Sequence, residues 1–523
     1  MTVGVPVEVT RFSAEHAAVQ PAQQPAEPGQ QPETAVVSSG KLASSALWRA
    51  IETAGTEAVA FVVFTTLARL LQPGDFGAVA LATSIMTVLQ GLLYYGFTEA
   101  LIQKPDVTDV HHRTVLAGNL ALSFTLVVLG LLFAWPLGWT LDRPEFPLIF
   151  AALLPSLLFR GFNSPMLAAL RREMDFRSIA LRTLVGVAVG GVIAVFLARG
   201  GAGHWALVVQ QWSAEIIGFS VLAGTSPVKP WKLRWNKLAF RELIPVALPV
   251  MGAAVLAVAA RRLDTFALGM YLPNAAVGIY FMVYRLVFAA QMVTQHGLSE
   301  VAMVVLSSLN RDAERYRTAL LYALRLMAFI CACAFGLLAI VGPWLVPWVF
   351  GTSWLPATEP LRVLSALSLG GAIVSIAGVT LVASGYATAF SRLAVGSAIA
   401  QLLAVAISAR WGLMAVAWGI GIAQCLSVIP AIRMLSRHYQ LSQLRLWAEI
   451  GPILGLFGAG FGLATWTASL PREYYPQPLA AGAFCAVMGL GGLVLLRRER
   501  ERAQRDSVAQ ATAVTAEDPA SDE

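Results

Sequence analysis

The feature that most restricts this sequence is a series of long apolar segments separated by short polar turns. A transmembrane helix needs roughly 20 mainly apolar residues to cross the hydrocarbon core of a bilayer. Lipid offers no partner for exposed backbone polar groups, so segments of this kind can cross it only as helices. We predict about fourteen spans, near residues 44–71, 76–102, 114–138, 146–169, 178–198, 204–223, 241–269, 275–305, 318–341, 358–383, 388–408, 411–434, 447–469 and 478–496.

Composition excludes the common soluble classes. Hydrophobic residues make up 57% of the 523 residues and charged residues 13%, whereas a soluble domain carries about 25% charged residues. A net charge of +7 would suggest nucleic-acid binding in a soluble protein. Here the basic residues gather in loops between apolar segments, as in membrane proteins. We therefore expect a multi-pass membrane protein that binds no nucleic acid.

Loop charge predicts how the spans are oriented. If the amino terminus is cytoplasmic, the loops after even-numbered spans carry seventeen Lys and Arg residues and the opposite loops carry five. Basic residues concentrate in cytoplasmic loops of membrane proteins. We expect both termini on the cytoplasmic side.

Short sequence motifs recur in the two halves of the chain at an offset of about 200 residues. The matching pairs are Leu71-Gln72-Pro73 with Leu272-Pro273, Gly77 with Gly278, Arg113-Thr114 with Arg317-Thr318, and Trp205 with Trp411. A duplicated six-helix unit would produce this pattern, and a unit with an even number of spans repeats in the same orientation. Repeated halves with a site between them are typical of secondary transporters.

These patterns predict an all-α integral membrane fold of about 14 transmembrane helices, arranged as two six-helix lobes in a parallel pseudo-repeat plus two C-terminal helices. The expected segments are a disordered cytoplasmic tail at 1–40, a first lobe at 41–225 (spans 1–6), an interfacial linker at 226–240, a second lobe at 241–436 (spans 7–12), spans 13 and 14 at 437–498, and a disordered C-terminal tail at 499–523.

Two stripes of polar residues mark a candidate substrate cavity. Span 2 places Thr83, Gln90 and Tyr94 on one helical face, and span 8 does the same with Tyr284, Gln291 and Gln295. Amides and phenols suit a sugar ligand, since hydroxyls need mixed donors and acceptors and sugar faces stack on aromatic rings. Hydrogen bonding between helices also favours Thr and Gln, and this alternative stays open.

Charged residues inside spans are costly and indicate function. Arg160, Arg262 and Arg285 are the candidates for binding an anionic ligand, because a guanidinium pairs bidentately with phosphate and keeps its charge. Glu57 and Asp264 are the candidates for ion or proton coupling. A structural pair between Arg261 and Asp264, spaced i,i+3, is an alternative for that carboxylate.

No catalytic motif stands out. The sequence contains no P-loop, no GxSxG and no HExxH. We expect no enzymatic activity, no catalytic residues, no cofactor and no metal site.

Several motifs resemble one known family. They are Leu67-Ala-Arg-Leu-Leu-Gln-Pro-Gly-Asp-Phe-Gly77, Gly96-Phe-Thr-Glu-Ala-Leu-Ile-Gln103, Leu170-Arg-Arg-Glu-Met-Asp-Phe176, and Leu263-Asp264 followed by Leu268-Gly269 and Val277-Gly278-Ile279-Tyr280. The chain thereby resembles the bacterial polysaccharide transporters of the multidrug/oligosaccharidyl-lipid/polysaccharide exporter superfamily, over about residues 40–470. Asp264 is the one candidate residue that lies within such a motif.

The resemblance implies a V-shaped pair of helical bundles in the bacterial inner membrane. It implies translocation of undecaprenyl-pyrophosphate-linked oligosaccharide repeat units by alternating access, for exopolysaccharide or lipopolysaccharide biosynthesis. Its implied partners are the lipid-linked oligosaccharide, the membrane, and polysaccharide polymerase and chain-length or export proteins. Two alternatives remain: a MATE-like ion-coupled exporter of drugs or metabolites, and a membrane-embedded polysaccharide polymerase or ligase.

Overall fold

The structure is a computed structural model that describes residues 39–229, 231–260, 262–309, 312–468, 478–494 and 497. The predicted tails at 1–40 and 499–523 lie outside these residues, except that Ser39 and Gly40 begin the first helix. Every regular element in the described ranges is helical. The all-α membrane fold predicted from hydropathy is confirmed.

The helices follow the apolar segments of the sequence. Those of the first half are α1 (Ser39–Leu70), α2 (Pro73–Tyr95), α3 (Phe97–Gln103), α4 (Asp109–Thr140), α5 (Phe146–Leu153), α6 (Ser156–Arg172), α7 (Phe176–Arg199) and α8 (Trp205–Thr225). Those of the second half are α9 (Lys237–Ala260), α10 (Leu263–Tyr271), α11 (Asn274–Gln291), α12 (Gly297–Ser308), α13 (Ala313–Phe350), α14 (Thr358–Leu367), α15 (Leu369–Ala383), α16 (Ala387–Ser408), α17 (Leu413–Tyr439), α18 (Gln443–Ala468) and α19 (Pro478–Val494).

Eleven helical segments of the described chain are long and apolar enough to cross a membrane, and a twelfth is the bent pair Thr352–Leu367 and Leu369–Ala383. The two other predicted spans are helical as well. The seventh is divided into α9 and α10, and the fourteenth is the shorter α19. The count of fourteen spans stays a prediction.

Local sequence explains where several helices begin. Pro73 is the first residue of α2, where its missing N–H is not needed, and Asp75 accepts a hydrogen bond from the backbone of Gln72 at 3.0 Å. Asp175 caps α7 and Asp312 caps α13 through their side-chain oxygens. The polar turns of the sequence therefore set the ends of the spans.

The seventh span differs from the single helix predicted at 241–269. It breaks between α9 and α10, and the two pieces pack on different neighbours. The α9 piece lies against α2, α3 and α4 of the first half, whereas α10 packs on α16 and α11 as well as on α2. The break therefore lets one span belong to both halves of the molecule.

Buried side chains show where the two halves meet. One apolar core joins Phe64, Leu67 and Phe76 of the first half to Tyr280 and Trp354 of the second. It lies at the end of the bundle that carries the α1–α2 and α10–α11 turns, which we term the sealed end. Towards the other end, termed the open end, α12 packs on α13 and α15 of its own half, and the described residues show no extensive packing of α12 on α1–α8.

The closest approach of the halves is the crossing of α2 with α11. A side-chain carbon added at Gly77 would overlap the carbonyl oxygen of Asn274, and one added at Gly278 would overlap that of Pro73. The two contacts are reciprocal, and both pairs are related by the same offset of 201 residues. Only glycine at both positions allows the backbones to approach this closely, as in other tightly packed membrane helices.

Replacing Gly278 with Ala is expected to destabilise the protein by about 1–3 kcal/mol, because the new methyl group must push two helix backbones apart. Thermal unfolding of the purified protein in detergent measures the loss. The matched control is Gly458→Ala in α18, where an added carbon meets nothing within 4 Å. Equal unfolding temperatures for the two variants would show that the crossing is not tight.

Candidate functional site

Polar contacts reinforce the sealed end. Arg143, in the turn between α4 and α5, donates hydrogen bonds to the side chain of Asn274 at 2.5 Å and to the carbonyl oxygens of Leu272 and Gly269. Burial lowers the pKa of Arg143 from its ordinary value, against the opposing effect of Asp142 and Glu145. A guanidinium stays protonated in proteins, so Arg143 fixes the α10–α11 turn of one half to the other half with a charged donor.

Two further contacts cross between the halves at this end. Arg69 of α1 donates to the carbonyl oxygens of Trp348 and Val349, both at 2.6 Å. The indole N–H of Trp354, which is fully buried, donates to the carbonyl oxygen of Ala68 at 2.8 Å. Together with the glycine crossing, these bonds hold the two halves together at the sealed end.

A network of charged groups lies inside the first half, with Glu215 of α8 at its centre. Its carboxylate is 3.0 Å from Arg160 of α6 and 3.7 Å from Arg182 of α7, and it accepts a hydrogen bond from Asn163 at 3.1 Å. The three charged side chains are only 10–25% exposed. One carboxylate thus faces two guanidinium groups, which leaves the cluster with an excess positive charge.

The three residues of the first polar stripe have different surroundings, and only Gln90 contacts this network. Gln90 accepts a hydrogen bond from Arg160 at 3.1 Å, and its own amide nitrogen is buried without a partner among the described residues. Tyr94 accepts from Arg171, whose guanidinium lies 5.3 Å from the centre of the Tyr94 ring. Thr83 is bonded to the carbonyl oxygen of Ala80 and lines a separate cavity.

That cavity, of about 310 Å³, lies between the halves, just inside the sealed end. Its walls come from α1, α2, α7 and α8 of the first half and from Phe281 and Arg285 of α11. The Arg285 guanidinium stands 4.7 Å from the centre of the Phe64 ring. Within the described part of the chain, Arg285 has no carboxylate within 4.0 Å, so this cavity contains a cation without a close counter-ion.

Glu57 lies on the exposed side of α1. It is the carboxylate whose charge acts on Arg285, although the two groups form no direct ion pair. Glu57 is therefore not among the residues that line the cavity.

A second, smaller cavity lies inside the second half. It has a volume of about 120 Å³, and its polar lining residues are Asp264, Tyr280, Tyr284, Gln291, Gln401 and Gln424. Asp264 accepts hydrogen bonds from the hydroxyl of Tyr280 at 2.7 Å and from the backbone N–H of Thr265 at 2.6 Å. The carbonyl oxygen of the Gln424 side chain is buried without a partner among the described residues. The cavity thus gathers hydroxyl and amide groups around one carboxylate.

The remaining candidates, Arg262 and Gln295, line neither of the two cavities. Arg262 precedes α10 and is half-buried, and its charge acts on Asp264. Gln295 lies in a short π-helical segment, Met292–His296, and its amide nitrogen is buried without a partner in the described ranges. Arg261, the alternative partner of Asp264, lies outside the described residues.

Sequence reasoning missed two residues that organise this interior. Arg182 lies close to the start of its span, where a basic residue is ordinarily a membrane-edge anchor. Arg143 occupies a polar turn, a common place for arginine. Glu215 carried a usable signal, because a carboxylate within a span calls for a cationic partner.

Comparison with known proteins shows which family model and which relatives this chain matches. Residues 66–359 match the family model described as polysaccharide biosynthesis protein. The succinoglycan biosynthesis transport protein ExoT of Rhizobium meliloti (strain 1021) is 29% identical over 62% of this chain, and the match spans 65% of that relative, just under two thirds of its length. The lipopolysaccharide biosynthesis protein WzxC of Escherichia coli (strain K12) is 21% identical over 64% of this chain and 69% of its own length.

Two solved structures share the fold. The lipid II flippase MurJ in an inward closed conformation superposes with a TM-score of 0.69 at 14% identity, over 86% of this chain and 99% of that chain. An inward-facing multidrug resistance MATE transporter gives a TM-score of 0.58 at 15% identity, over 73% and 94% of the two chains. At these identities the likeness concerns the fold alone.

Replacing Glu215 with Gln is expected to destabilise the protein by about 3–5 kcal/mol, because two buried guanidinium groups would then lack their counter-ion. The matched variant is Arg160→Gln, which leaves Glu215 paired with Arg182 and should cost markedly less. Thermal unfolding of both variants in detergent provides the test. If Arg160→Gln is the more damaging of the two, the charge balance given for this network is wrong.

Proposed function

The chain belongs to the polysaccharide biosynthesis protein family, within the multidrug/oligosaccharidyl-lipid/polysaccharide exporter superfamily, and on that premise we propose that it is a flippase for lipid-linked oligosaccharides. The substrate would be an undecaprenyl-pyrophosphate-linked repeat unit. The sugar head group would pass between the two halves while the lipid tail stays in the bilayer.

The observation that supports this proposal most directly is the one-sided closure of the molecule. Apolar packing, the glycine crossing and the Arg143 bonds join the halves at the sealed end. Towards the open end α9 packs on α2, α3 and α4 and so belongs structurally with the first half, whereas α12 packs on α13 and α15 of the second. Alternating access requires two bundles that separate at one end at a time. By the charge distribution of the loops the open end would be cytoplasmic, which is the side on which lipid-linked sugars would be loaded.

Arg285 is the residue we assign to the anionic part of the substrate. It enters the cavity between the halves, and no carboxylate neutralises it at close range within the described residues. Arg160 is already engaged by Glu215 and Gln90, so we assign it to the excess positive charge of the first half and not to a direct contact. Gln90 and Gln295, whose buried amide nitrogens have no partner among the described residues, would donate to sugar hydroxyls.

Asp264 is the residue we assign to coupling. Its cavity collects tyrosine and glutamine oxygens around a buried carboxylate, next to the break between α9 and α10. Binding of a proton or a monovalent cation would change the charge at that break. Because α9 packs on the first half and α10 mainly on the second, such a change would act where the two halves are connected.

Loss of transport should be visible in cells as a change in the location of the lipid-linked sugar. In a strain that lacks the chain, we expect undecaprenyl-linked repeat units to accumulate on the cytoplasmic face, with no secreted polymer. If the units accumulated on the outer face instead, the step carried out by this chain would follow translocation, and a polymerase or ligase would replace the flippase.

When the Arg285→Gln variant is expressed in the strain that lacks the wild-type chain, it should translocate about 10- to 100-fold more slowly than the wild type. A hydrogen bond to a charged group contributes about 1.5–3 kcal/mol. Polymer output and the amount of cytoplasmic lipid-linked sugar measure the effect. Arg362→Gln is the control, because Arg362 forms an exposed pair with Glu359 at 3.0 Å. Full polymer output from Arg285→Gln at normal protein level would remove Arg285 from the substrate path.

Asp264→Asn should make transport independent of the ion gradient while preserving the shape of the site. The measurement is translocation by the purified protein in liposomes, with and without an imposed sodium or proton gradient. We expect the wild type to respond to one of these gradients and the variant to neither. Glu57→Gln is tested alongside, and a response that Glu57→Gln abolishes and Asp264→Asn retains would transfer the coupling role to Glu57.

A further inference from the structure

A basic groove lies on the second half, away from both cavities described above. It has a volume of about 540 Å³ and runs between α16 and α17. Its polar end is formed by Arg392 of α16 and by Arg433 and Arg437 of α17. The arginines lie at the open end of the molecule, because α16 begins and α17 ends at that side of the bundle. It shares no lining residue with the cavity of Arg285 or that of Asp264.

The three arginines lack acidic partners. No aspartate or glutamate lines the groove, and within the described part of the chain none of the three lies within 4.0 Å of a carboxylate. Other arginines towards the same end are paired, as Arg315 is with Asp312 at 3.2 Å. A cluster of three exposed, unneutralised guanidinium groups around one groove favours an anionic ligand with several acceptor oxygens.

Most of the remaining groove is apolar, and it adjoins exposed apolar surface of α16 and α17. Leu393, Leu426, Pro430 and Met434 line it. Beyond the groove, large apolar side chains of both helices are exposed, at Val395, Ile399 and Leu403 on α16 and at Ile422 and Ile429 on α17. A ligand with an anionic head and apolar chains would therefore find complementary surface for both parts.

Two small residues add to the polar character and the space of the groove. The hydroxyl of Ser397 is buried and has no hydrogen-bond partner among the described residues. Gly396 faces open space, because a side-chain carbon added there meets nothing within 4 Å. The groove can thus be filled by substitution at Gly396 without collision with the protein.

We propose that this groove binds the head group of an anionic glycerophospholipid of the membrane, with the phosphate held by Arg392, Arg433 and Arg437 and the acyl chains against α16 and α17. Basic pockets between transmembrane helices on the cytoplasmic side are suited to such head groups. All residues that line the groove belong to the second half, so the site does not lie between the two halves.

The test measures lipid retention by the full-length protein in a non-ionic detergent. Native mass spectrometry counts bound lipid during titration with phosphatidylglycerol, phosphatidylcholine or undecaprenyl pyrophosphate. We expect one phosphatidylglycerol to bind more tightly than phosphatidylcholine. Arg433→Gln with Arg437→Gln should weaken that binding about fivefold for each arginine removed.

Gly396→Leu tests the same site by a different means, since it fills the groove and leaves all three arginines in place. The controls are Arg445→Gln, an exposed arginine outside the groove, and Gly455→Leu on α18, where an added carbon also meets nothing within 4 Å. Both controls should bind phosphatidylglycerol as the wild type does. Thermal unfolding confirms that each variant is folded.

Two results would overturn the proposal. In the first, phosphatidylglycerol binding survives both the double arginine variant and Gly396→Leu, which would leave the arginines as ordinary membrane-edge residues. In the second, undecaprenyl pyrophosphate binds more tightly than phosphatidylglycerol and the same variants abolish it, which would make the groove part of the substrate path. Neither result depends on whether the chain transports sugars.

Discussion

The close crossing of α2 and α11 determines how the two halves of this molecule can move. Gly77 and Gly278 bring two helix backbones into contact at one end of the bundle, where no side chain would fit. Closely packed helix backbones resist small deformations, because their van der Waals contacts are lost over a short distance. We therefore expect the two helices to be either in contact or separated. The Arg143 and Arg69 bonds to backbone carbonyls add directional contacts that hold only while the backbones are close.

The charged groups are arranged around this crossing. Arg285 lies about three helical turns from the start of α11, in a cavity that both halves line. The Glu215 cluster holds excess positive charge within the first half, and Asp264 holds a carboxylate within the second, beside the broken seventh span. An anionic head group would bind between the halves, and a cation would bind inside the second half. Both would therefore bind close to the elements that join the halves, namely the α2–α11 crossing and the broken seventh span.

The sequence predicts the membrane fold well because hydrophobic length is a local property. Turn residues such as Gln72-Pro73 and Leu272-Pro273 mark real helix ends, and Gly77 and Gly278 were recognised as a repeated pair. Their role in the crossing was not predictable, because it depends on the partner helix. The π-helical segment at Met292–His296 and the break after α9 were also missed, since both interrupt runs that remain apolar in sequence.

The candidate site was less predictable than the fold for the same reason. The sequence around Arg160 contains no acidic partner for it. In the fold, Glu215 of α8 forms an ion pair with Arg160, and Gln90 of α2 accepts a hydrogen bond from it. Thr83 and Gln90 share a helical face yet belong to different environments, one beside the Arg285 cavity and one beside Arg160. Spacing shows which residues share a face, and only tertiary packing decides what that face contacts.

The most direct test of alternating access is a pair of distance measurements by electron paramagnetic resonance. One spin-label pair would join the exposed positions Thr140 and Thr352 across the sealed end, and the other Asp109 and Ala313 across the open end. The account predicts two populations in liposomes, in which a longer distance at one end accompanies a shorter distance at the other. A sealed end that stays closed under every gradient and substrate condition, or two ends that open together, would contradict it.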